Sequence, residues 1–380
     1  QKRNQPEIMA GGTSNRPVPG SLLVPPTSSS TIRALVFLMV PFLLPFSILY
    51  GLVLTFRRRR WPKRNSARLD APVISVGNIT CGGTGKTPTV EMVVRELIDR
   101  GWNPAILSRG YGARPGIEDG NFLEIDFNEG NDEYRLLSEN LPSVPHYQGR
   151  DRAACGREAI AAGADILVMD DGFQHLRLHR DADLVLLDAL RPFDNGRVLP
   201  AGLLREPIGA LEAADLIAIT RVELVSEERR EAIAAFLKER FPGIPVLLLE
   251  SRARVWQELY GETLESGFLE GKEACAFCGI GNPDSFELTL GELGIRLAGF
   301  KTFRDHHGYD LATVEGLGAW ARELGVDTIV MTQKDAVKIP EDWLDGEGGL
   351  RWFYLGTRQS ISSGGEFLVE LLDKLAPRTA

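Results

Sequence analysis

Short apolar runs alternate with amphipathic stretches through most of the chain after residue 70. The run Val73–Val76 precedes a helical stretch from Thr87 to Arg100, and the helical stretch Arg152–Ala162 precedes the run Ile166–Met169. Strands of a parallel sheet are buried on both faces and read as continuous apolar runs, while the amphipathic stretches between them form crossover helices. The pattern therefore predicts a three-layer α/β fold with a mostly parallel sheet.

The alternation falls into two sets, separated by a charged, helix-like segment from Val225 to Arg240. The first set ends at the run Leu216–Ile219, and the second begins at Val246–Leu249. Other predicted elements of the second set are strands at Ala274–Phe277, Ile295–Thr302, Thr328–Met331 and Trp352–Leu355, and helices at Pro283–Leu293 and Gly365–Leu375. Because the chain is long enough for two domains, we predict a core domain at 61–225 and a smaller α/β domain at 226–380.

The first 60 residues show two other patterns. Residues 1–30 are rich in Pro, Ser, Thr, Gly and Asn without a hydrophobic period, and we predict that they are disordered. The stretch from Ala34 to Phe56 is nearly all apolar and carries no charged residue. That length is enough to cross a hydrocarbon core of about 30 Å. We therefore predict a membrane anchor at residues 31–60.

Basic residues follow the apolar stretch directly, at Arg57–Arg60, Lys63 and Arg64. Such a cluster favours the cytoplasmic side of the inner membrane and binds anionic lipid headgroups. Pro41 and Pro45 interrupt the stretch, so a spanning helix and a kinked segment within one leaflet both stay open. In either case we expect the domains that follow to face the cytoplasm, beside an inner-membrane lipid surface.

The composition limits the partners and the compartment. The net charge of −9 and the isoelectric point near 5.3 argue against a surface built to wrap nucleic acid. Four scattered cysteines are too few for a disulfide framework and indicate a reducing compartment. Cys275 and Cys278 form one CxxC without a second pair, and we interpret them as packed small apolar residues. Nothing in the sequence indicates a protein partner.

A glycine-rich segment connects the first strand-like run to the first helical stretch. It reads Gly-Asn-Ile-Thr-Cys-Gly-Gly-Thr-Gly-Lys-Thr-Pro over residues 77–88, with Thr80 where the usual P-loop pattern has its first glycine. Glycines let the backbone turn its amides toward a polyphosphate, the lysine neutralises phosphate oxygens, and the next hydroxyl coordinates Mg²⁺. The predicted ATP-binding residues of this P-loop NTPase-type domain are Gly82, Gly83, Thr84, Gly85, Lys86 and Thr87.

A P-loop requires a carboxylate at the end of a neighbouring strand to hold Mg²⁺ or its waters. The run Ile166–Met169 ends in Asp170 and Asp171, and either of them could contact the metal. Gln174 and His175 follow at the same strand end and are candidates for a phosphate contact. The candidate metal ligands are Thr87, Asp170, Asp171 and Glu133.

Transfer of a phosphoryl group to a hydroxyl also requires a group that takes the proton. Asp132 and Glu133 open a predicted short helix, a position where acids also occur because they complement the helix dipole. His306 lies in a polar loop of the second set, so it would have to approach from the second domain. From the residues alone both assignments stay open.

Several motifs in one order carry a resemblance to a known family. They are Ser47–Gly51, Val76–Thr80, Gly82–Pro88, Ser108–Gly112, Gly149–Arg152, Asp170–His175, Asn195–Gly202, Leu204–Pro207, Phe277–Pro283, Asp305–His307 and Thr332–Lys338. With these motifs the chain resembles the tetraacyldisaccharide 4'-kinase family from about Ser47 to Lys338. The resemblance implies transfer of the γ-phosphate of ATP, with Mg²⁺, to the 4'-position of a lipid disaccharide 1-phosphate, forming lipid IVA in lipid A biosynthesis.

The resemblance also implies roles for single residues. It makes Asp132 the base and His306 its partner, and they join Lys86, which the P-loop pattern already makes a catalytic group. Asn131 replaces a glycine of the family motif, and Gln333 stands where a glutamate is expected. Two alternatives remain beside a lipid kinase: a membrane-tethered regulatory NTPase that transfers phosphate only to water, and a cytosolic small-molecule kinase with an incidental apolar leader.

Overall fold

The computed structural model describes residues 18–23, 31–60, 66–110, 131–344 and 349–375. Within those ranges twelve strands form one sheet, accompanied by nine α-helices. The strands are β1 (Val73–Asn78), β2 (Pro104–Ser108), β3 (His146–Gln148), β4 (Ile166–Asp170), β5 (Ala182–Asp188), β6 (Leu216–Thr220), β7 (Val246–Glu258), β8 (Thr263–Glu265), β9 (Glu273–Cys278), β10 (Arg296–Thr302), β11 (Thr328–Thr332) and β12 (Arg351–Ser363). The helices are α1 (Thr31–Arg60), α2 (Lys86–Asp99), α3 (Asp132–Asn140), α4 (Arg152–Ala161), α5 (Glu227–Arg240), α6 (Pro283–Glu292), α7 (Leu311–Glu323), α8 (Gln333–Ala336) and α9 (Gly365–Asp373).

The sheet confirms the predicted α/β fold. Its strands lie in the order β10-β9-β11-β12-β7-β6-β5-β1-β4-β2-β3, and β8 pairs with β7 off this path. The described pairings are parallel except for β7 with β12 and β7 with β8. Strand β1 lies between β4 and β5, where the strand order reverses direction. In open α/β sheets ligands bind beyond the carboxyl ends of the strands at such a point.

Helices cover both faces of the first half of the sheet. In β5, Leu186 belongs to a cluster with Val90 and Leu97 of α2, while its neighbour Leu187 belongs to a cluster with Leu237 of α5. Successive strand residues point to opposite faces, so these clusters are two separate layers of core. The three-layer arrangement holds the end of β1 and the start of α2 rigidly beside each other.

Two long strands join the two halves of the sheet. Strands β7 and β12 pair antiparallel along most of their length and extend well beyond the predicted runs, which ended at Leu249 and Leu355. Their outer parts are polar, so the apolar pattern ended before the ladder did. Helix α9 returns to the first half, where Leu368 and Leu372 are buried with residues of β1 and β6. The domain boundary at residue 225 stays a prediction.

Helix α1 runs without interruption through Pro41 and Pro45. The part from Val40 to Arg60 is long and apolar enough, by length and composition, to cross a membrane. Apolar side chains of this helix are each more than half exposed: Phe42, Phe46, Ile48, Leu49, Leu52, Val53 and Phe56. The predicted apolar anchor is therefore one long helix with an exposed apolar surface.

The other side of α1 is fixed to the core. The Ser47 hydroxyl is buried and donates to the carbonyl of Val198 at 2.7 Å. Arg58 donates two hydrogen bonds to Glu206, at 2.6 and 2.7 Å, and its guanidinium lies 4.1 Å from the centre of the Phe173 ring. Residues 47–58 are therefore held against the same part of the chain that carries Asp170 and Asp171.

A short 3₁₀ turn at Gly20–Leu22 lies within the segment that we predicted to be disordered. Leu22 is buried in the core cluster of α5, and Arg229 donates to the carbonyl of Ser21 at 2.8 Å. The prediction is wrong at 18–23 because one apolar side chain in a polar segment is enough to dock it. The rest of the predicted disorder lies outside the described residues.

Candidate active site

The loop between β1 and α2 has the conformation of a phosphate cradle. Gly82 and Gly85 have positive φ angles of 102° and 81°, which side chains with a Cβ atom rarely adopt. Gly85 precedes α2 directly, and no side chain caps its first turn. Backbone amides at the start of a helix are unpaired donors at the positive end of its dipole. The loop therefore offers a set of amides suited to phosphate oxygens.

Buried hydrogen bonds hold this loop in place. Asn78 donates to the hydroxyl of Thr84 at 2.8 Å, and the hydroxyl of Thr220 donates to the carbonyl of Thr84 at 3.0 Å. Arg221, in a left-handed backbone conformation, donates to the carbonyl of Gly83 at 2.9 Å. The carbonyls are thereby turned toward the protein, which leaves the amide side free for a ligand.

The carboxylates at the end of β4 lie beside the P-loop. Asp170 pairs in register with Val76 of β1, and its carboxylate is almost fully buried with one oxygen that has no partner among the described residues. Burial, with the nearby charge of Glu133, raises the pKa of Asp170 to about 7. A buried, unpaired carboxylate oxygen is costly unless a cation joins it.

Asp171 has different partners from Asp170. Arg205 donates to both of its oxygens, at 2.8 and 2.9 Å, and the ammonium of Lys86 lies 3.7 Å away. Burial acts to raise the pKa of Asp171, but these two cations outweigh it and hold that pKa at about 2. Its backbone is left-handed, with φ 49°. Asp171 therefore fixes Lys86, and Asp170 is the carboxylate with an open oxygen.

The donor set suits Mg²⁺ only in combination with phosphate. Among the described residues, no cluster of three or more His, Cys, Asp or Glu side chains could hold a metal ion alone. Mg²⁺ commonly takes one or two protein oxygens and completes its shell with phosphate and water. The open oxygen of Asp170 and the hydroxyl of Thr87 beside the loop fit this pattern. Glu133 lines a cavity that Lys86 and Thr87 also line.

Asp132 opens helix α3, whose next residue Glu133 lines the cavity. Asn131, which replaces a glycine of the family motif, accepts a hydrogen bond from the Tyr134 amide at 2.9 Å and caps the helix. Asn131 also accepts from the Gln148 side chain at 3.1 Å. The substitution therefore preserves a well-defined helix start, and Asp132 is held in place by it.

His306 contacts Asp132 across the two halves of the chain. Its Nδ1 atom lies 2.9 and 3.1 Å from the two carboxylate oxygens, and its backbone is left-handed with φ 58°. Burial acts to raise the pKa of Asp132, but His306 and the ammonium of Lys334 outweigh it and hold that pKa at about 2. The same hydrogen bond raises the pKa of His306. Asp132 and His306, which the residues alone left as separate candidates for proton transfer, therefore form one hydrogen-bonded pair.

A turn of the second half rests directly on the P-loop. A methyl group added to Gly281 would lie against the Gly83 amide and 2.9 Å from the Cα atom of Gly82. The next residue, Asn282, donates to Asp188 at 2.8 Å, and Asp188 also accepts from Arg221 at 2.7 Å. This network connects the P-loop to the second half, and the sequence interpretation did not include it.

A cavity of about 210 Å³ opens between the two halves. It is lined by Gly83–Pro88 from one side and by Phe286 and Lys334 from the other, with Glu133 between them. Most predicted phosphate-binding residues therefore face one cavity. Lys334 was missed as a site residue, although it lies in a motif that carried the family resemblance.

Gln174 and His175 do not line this cavity. Gln174 donates to the carbonyl of Asn78 at 2.8 Å, so it supports the backbone just before the P-loop. Burial and several nearby arginines lower the pKa of His175 to about 3, so its imidazole is neutral. Neither side chain lines the described cavity. The cysteines are free, and Cys275 and Cys278 are buried as predicted.

A P-loop at the switch point of a mostly parallel sheet, with an Asp–His pair at the start of the helix that contributes Glu133 to the same cavity, is the arrangement of a P-loop phosphotransferase. The protein-family model for tetraacyldisaccharide-1-P 4'-kinase matches residues 39–376. The chain therefore belongs to the tetraacyldisaccharide 4'-kinase family.

Similar proteins agree with this assignment. Tetraacyldisaccharide 4'-kinase of Syntrophus aciditrophicus is 38% identical over 313 residues, which cover 77% of this chain and 83% of that relative. The enzyme of that name from Anaeromyxobacter dehalogenans is 40% identical and covers 72% of this chain and 74% of its own. The crystal structure of LpxK from Aquifex aeolicus in complex with ATP has a TM-score of 0.68 at 29% identity, over 89% of this chain and 99% of that one.

Proposed function

We propose that the chain transfers the γ-phosphoryl group of ATP to the 4'-hydroxyl of a tetraacyldisaccharide 1-phosphate, forming lipid IVA. The observation that carries this proposal is the contact of 2.9 Å between Asp132 and His306, next to Lys334, which lines the cavity together with Lys86. A hydrolytic switch has no need of a proton acceptor placed for a bulky alcohol. The solved Aquifex aeolicus relative was crystallised with ATP, which supports the same donor here.

The proton and the phosphoryl group move in opposite directions in this mechanism. The acceptor oxygen forms a bond to the γ-phosphorus while the bond from that phosphorus to the β,γ-bridging oxygen breaks, and ADP leaves with the electron pair. The hydroxyl proton passes to Asp132. The contact with Asp132 raises the pKa of His306, and the Nδ1–H of His306 donates to Asp132 and orients that carboxylate toward the hydroxyl.

The P-loop stabilises the charge that is transferred. Backbone amides of Gly83–Thr87 and the ammonium of Lys86 would surround the β- and γ-phosphates. Asp171 and Arg205 hold Lys86 in place through the contacts described above. Bound Mg²⁺ would neutralise phosphate charge, with Thr87 and Asp170 as its best-placed protein ligands and Glu133 facing it.

The exposed face of α1 supports a location on the membrane surface. An acylated acceptor stays in the bilayer, so the active site must come to it. Insertion of large apolar side chains such as Phe42 and Phe46 contributes about 1.5–3 kcal/mol each when they are fully buried. The basic cluster Arg57–Arg60 favours the cytoplasmic leaflet of the inner membrane. Because residues 47–58 are docked on the core, we propose that the helix lies within one leaflet.

The test is transfer of labelled γ-phosphate from ATP to tetraacyldisaccharide 1-phosphate in mixed micelles. The intact chain should label the lipid, and Asp132→Ala and Lys86→Ala should each lose most of that activity. Lys301→Ala serves as a control, because Lys301 lies over the Trp320 ring, away from the cavity. Phosphate release that does not depend on the lipid, with no labelled lipid, would instead support the regulatory NTPase.

A further inference from the structure

The motif Thr332–Lys338 carries two lysines one helical turn apart in different environments. Lys338 donates to Asp335 at 2.8 Å and to the carbonyl of His307 at 3.1 Å, and it lies 4.9 Å from the centre of the Tyr309 ring. These contacts connect two segments of the second half, the turn after α8 and the loop after β10. Lys338 is therefore a structural residue whose ammonium is fully engaged.

Lys334 has a more open environment. Within the described residues its ammonium donates one hydrogen bond, to Asp305 at 3.2 Å. It lies 3.6 Å from Asp132 Oδ2, beyond ordinary hydrogen-bond length. An ammonium group has three protons to donate, so two of them are uncommitted in this arrangement. The side chain is 19% exposed and lines the cavity together with Lys86.

The distance from Lys334 to Asp132 can be compared with the usual distances between a base, its hydroxyl and the phosphorus that is attacked. A base contacts its hydroxyl at about 2.6–3.2 Å, and a hydroxyl poised for attack lies about 3–3.5 Å from the phosphorus. A cation that is 3.6 Å from Asp132 is thus within one small side-chain movement of a γ-phosphoryl oxygen. Lysine has a flexible stem that permits such a movement.

We propose that Lys334 is a further catalytic residue, whose ammonium binds a non-bridging oxygen of the γ-phosphoryl group during transfer. This inference rests on the proposed phosphoryl transfer. Lys86 approaches the phosphoryl group from the P-loop, and Lys334 approaches it from the second half. No bond to Lys334 forms or breaks, because the lysine only stabilises charge while the acceptor oxygen replaces ADP on phosphorus.

The charges explain why a second cation is needed. Glu133 lines the cavity and Asp132 lies 3.6 Å from the Lys334 ammonium, so negative charge lies beside the place where the phosphoryl group passes. In P-loop enzymes a cation supplied from outside the loop stabilises this charge and contributes strongly to the rate. Since Lys334 belongs to the second half, it acts only when that half faces the P-loop. Phosphoryl transfer therefore depends on the second half being in place against the P-loop.

The experiment compares Lys334→Met and Lys334→Gln with the intact protein. Three quantities are measured: kcat, the affinity for ATP, and the affinity for ADP with Mg²⁺, aluminium fluoride and the lipid acceptor, which mimics the transferring group. We expect kcat to fall about 10²–10³-fold, as when one transition-state donor is removed. Affinity for the mimic should fall in parallel, while affinity for ATP changes less than about threefold.

Two lysines of the second half provide matched controls. Lys301→Met removes a cation remote from the cavity, and its kinetics should match the intact protein. Lys338→Met should lower the melting temperature without a selective loss of affinity for the mimic, because its contacts are structural. Lys334→Gln keeps a donor for Asp305. The kinetics can therefore be measured on Lys334→Gln if Lys334→Met does not fold.

Two results would overturn the proposal. One is an unchanged kcat in both Lys334 variants, and the other is an equal loss of affinity for ATP and for the mimic, which a merely structural or ground-state cation produces. Failure of the intact protein to label the lipid would instead defeat the proposed function, and the lysine assignment with it. The two failures are therefore distinguishable in one set of assays.

Discussion

The two sides of the cavity hold charge by different means. On the P-loop side, the loop amides and Lys86 belong to one strand-loop-helix unit, although Thr220 and Asp171 help to hold them from other strands. On the α3 side, Asp132 and His306 come from positions 174 residues apart and meet through their side chains. The phosphate-binding residues are thus neighbours in the chain, whereas the proton-transfer pair forms only when the two halves assemble.

The largest expected effect tests the P-loop side of the cavity. Lys86→Ala removes the cation that the loop directs at the phosphates, and we expect the rate of lipid phosphorylation to fall about 10³-fold or more. The measurement is the labelled-phosphate assay at saturating ATP. Because Asp171 keeps its two hydrogen bonds from Arg205, the fold should persist. A variant that is folded and retains a tenth of the activity would contradict the assignment.

The next largest effect tests the Asp132–His306 pair. Asp132→Asn keeps the size of the side chain and removes the proton acceptor, so kcat should fall about 10²–10⁴-fold with little change in affinity for ATP. Single-turnover measurements on the bound complex check this. Asp305→Asn is the matched control, because Asp305 also lies near His306 and Lys334. Equal losses in the two variants would remove the reason to assign the base to Asp132.

The same contrast explains how far the sequence could predict the site. The P-loop and the strand end at Asp170 could be predicted because their residues are adjacent in the chain and their chemistry is local. The pairing of His306 with Asp132 could be inferred only from the family resemblance, since nothing in the spacing brings them together. Gly281 lies in one of the motifs that carry the family resemblance, but nothing in that motif indicates that it contacts the P-loop.

The fold shows the same division. Most of the parallel strands were predicted because they contain apolar runs, and β1 and β4 end within two residues of the predicted positions. The short parallel strand β3 was not predicted, because its sequence His-Tyr-Gln is polar. The long antiparallel ladder of β7 and β12 was missed over its outer half, where polar residues such as Glu250 and Ser360 face each other. Backbone pairing between distant segments stabilises these strands, and no local pattern records it.

A glycine tests the junction between the two sides. Gly281→Ala places a methyl group against the P-loop amides, so the second half must shift, and kcat/KM for ATP should fall about tenfold. Steady-state kinetics with the lipid acceptor measure this. Gly291→Ala is the control, because a methyl group there meets nothing within 4 Å and lies in helix α6. Equal activity in both variants would mean that this contact is unimportant.

The anchor helix allows a test outside the cavity. Phe46→Ser replaces an exposed aromatic side chain of α1 and should weaken binding to anionic lipid vesicles by about tenfold, since it removes roughly 1.5 kcal/mol of apolar burial. Vesicle sedimentation measures the effect, and ATP affinity should not change. Leu288→Ser changes an exposed apolar residue elsewhere and should leave vesicle binding unaltered. Equal weakening in both would argue against a membrane face on α1.

The smallest expected effect is the pH dependence that the Asp132–His306 contact gives to stability. The hydrogen bond to Asp132 raises the pKa of His306 in the folded state. A raised histidine pKa stabilises the fold fully below the unfolded value of about 6.5, and this contribution is lost as the pH rises through the folded value.

We therefore expect His306→Gln to lower the free energy of unfolding more at about pH 5.5 than at about pH 9. Urea titrations at the two pH values measure the difference. Burial, with the charge of Lys338, lowers the pKa of the adjacent His307, so His307→Gln should show a dependence of the opposite sign. A loss in His306→Gln that is equal at both pH values would show that the imidazole is not charged against Asp132, and that the pair is held together by a neutral hydrogen bond alone.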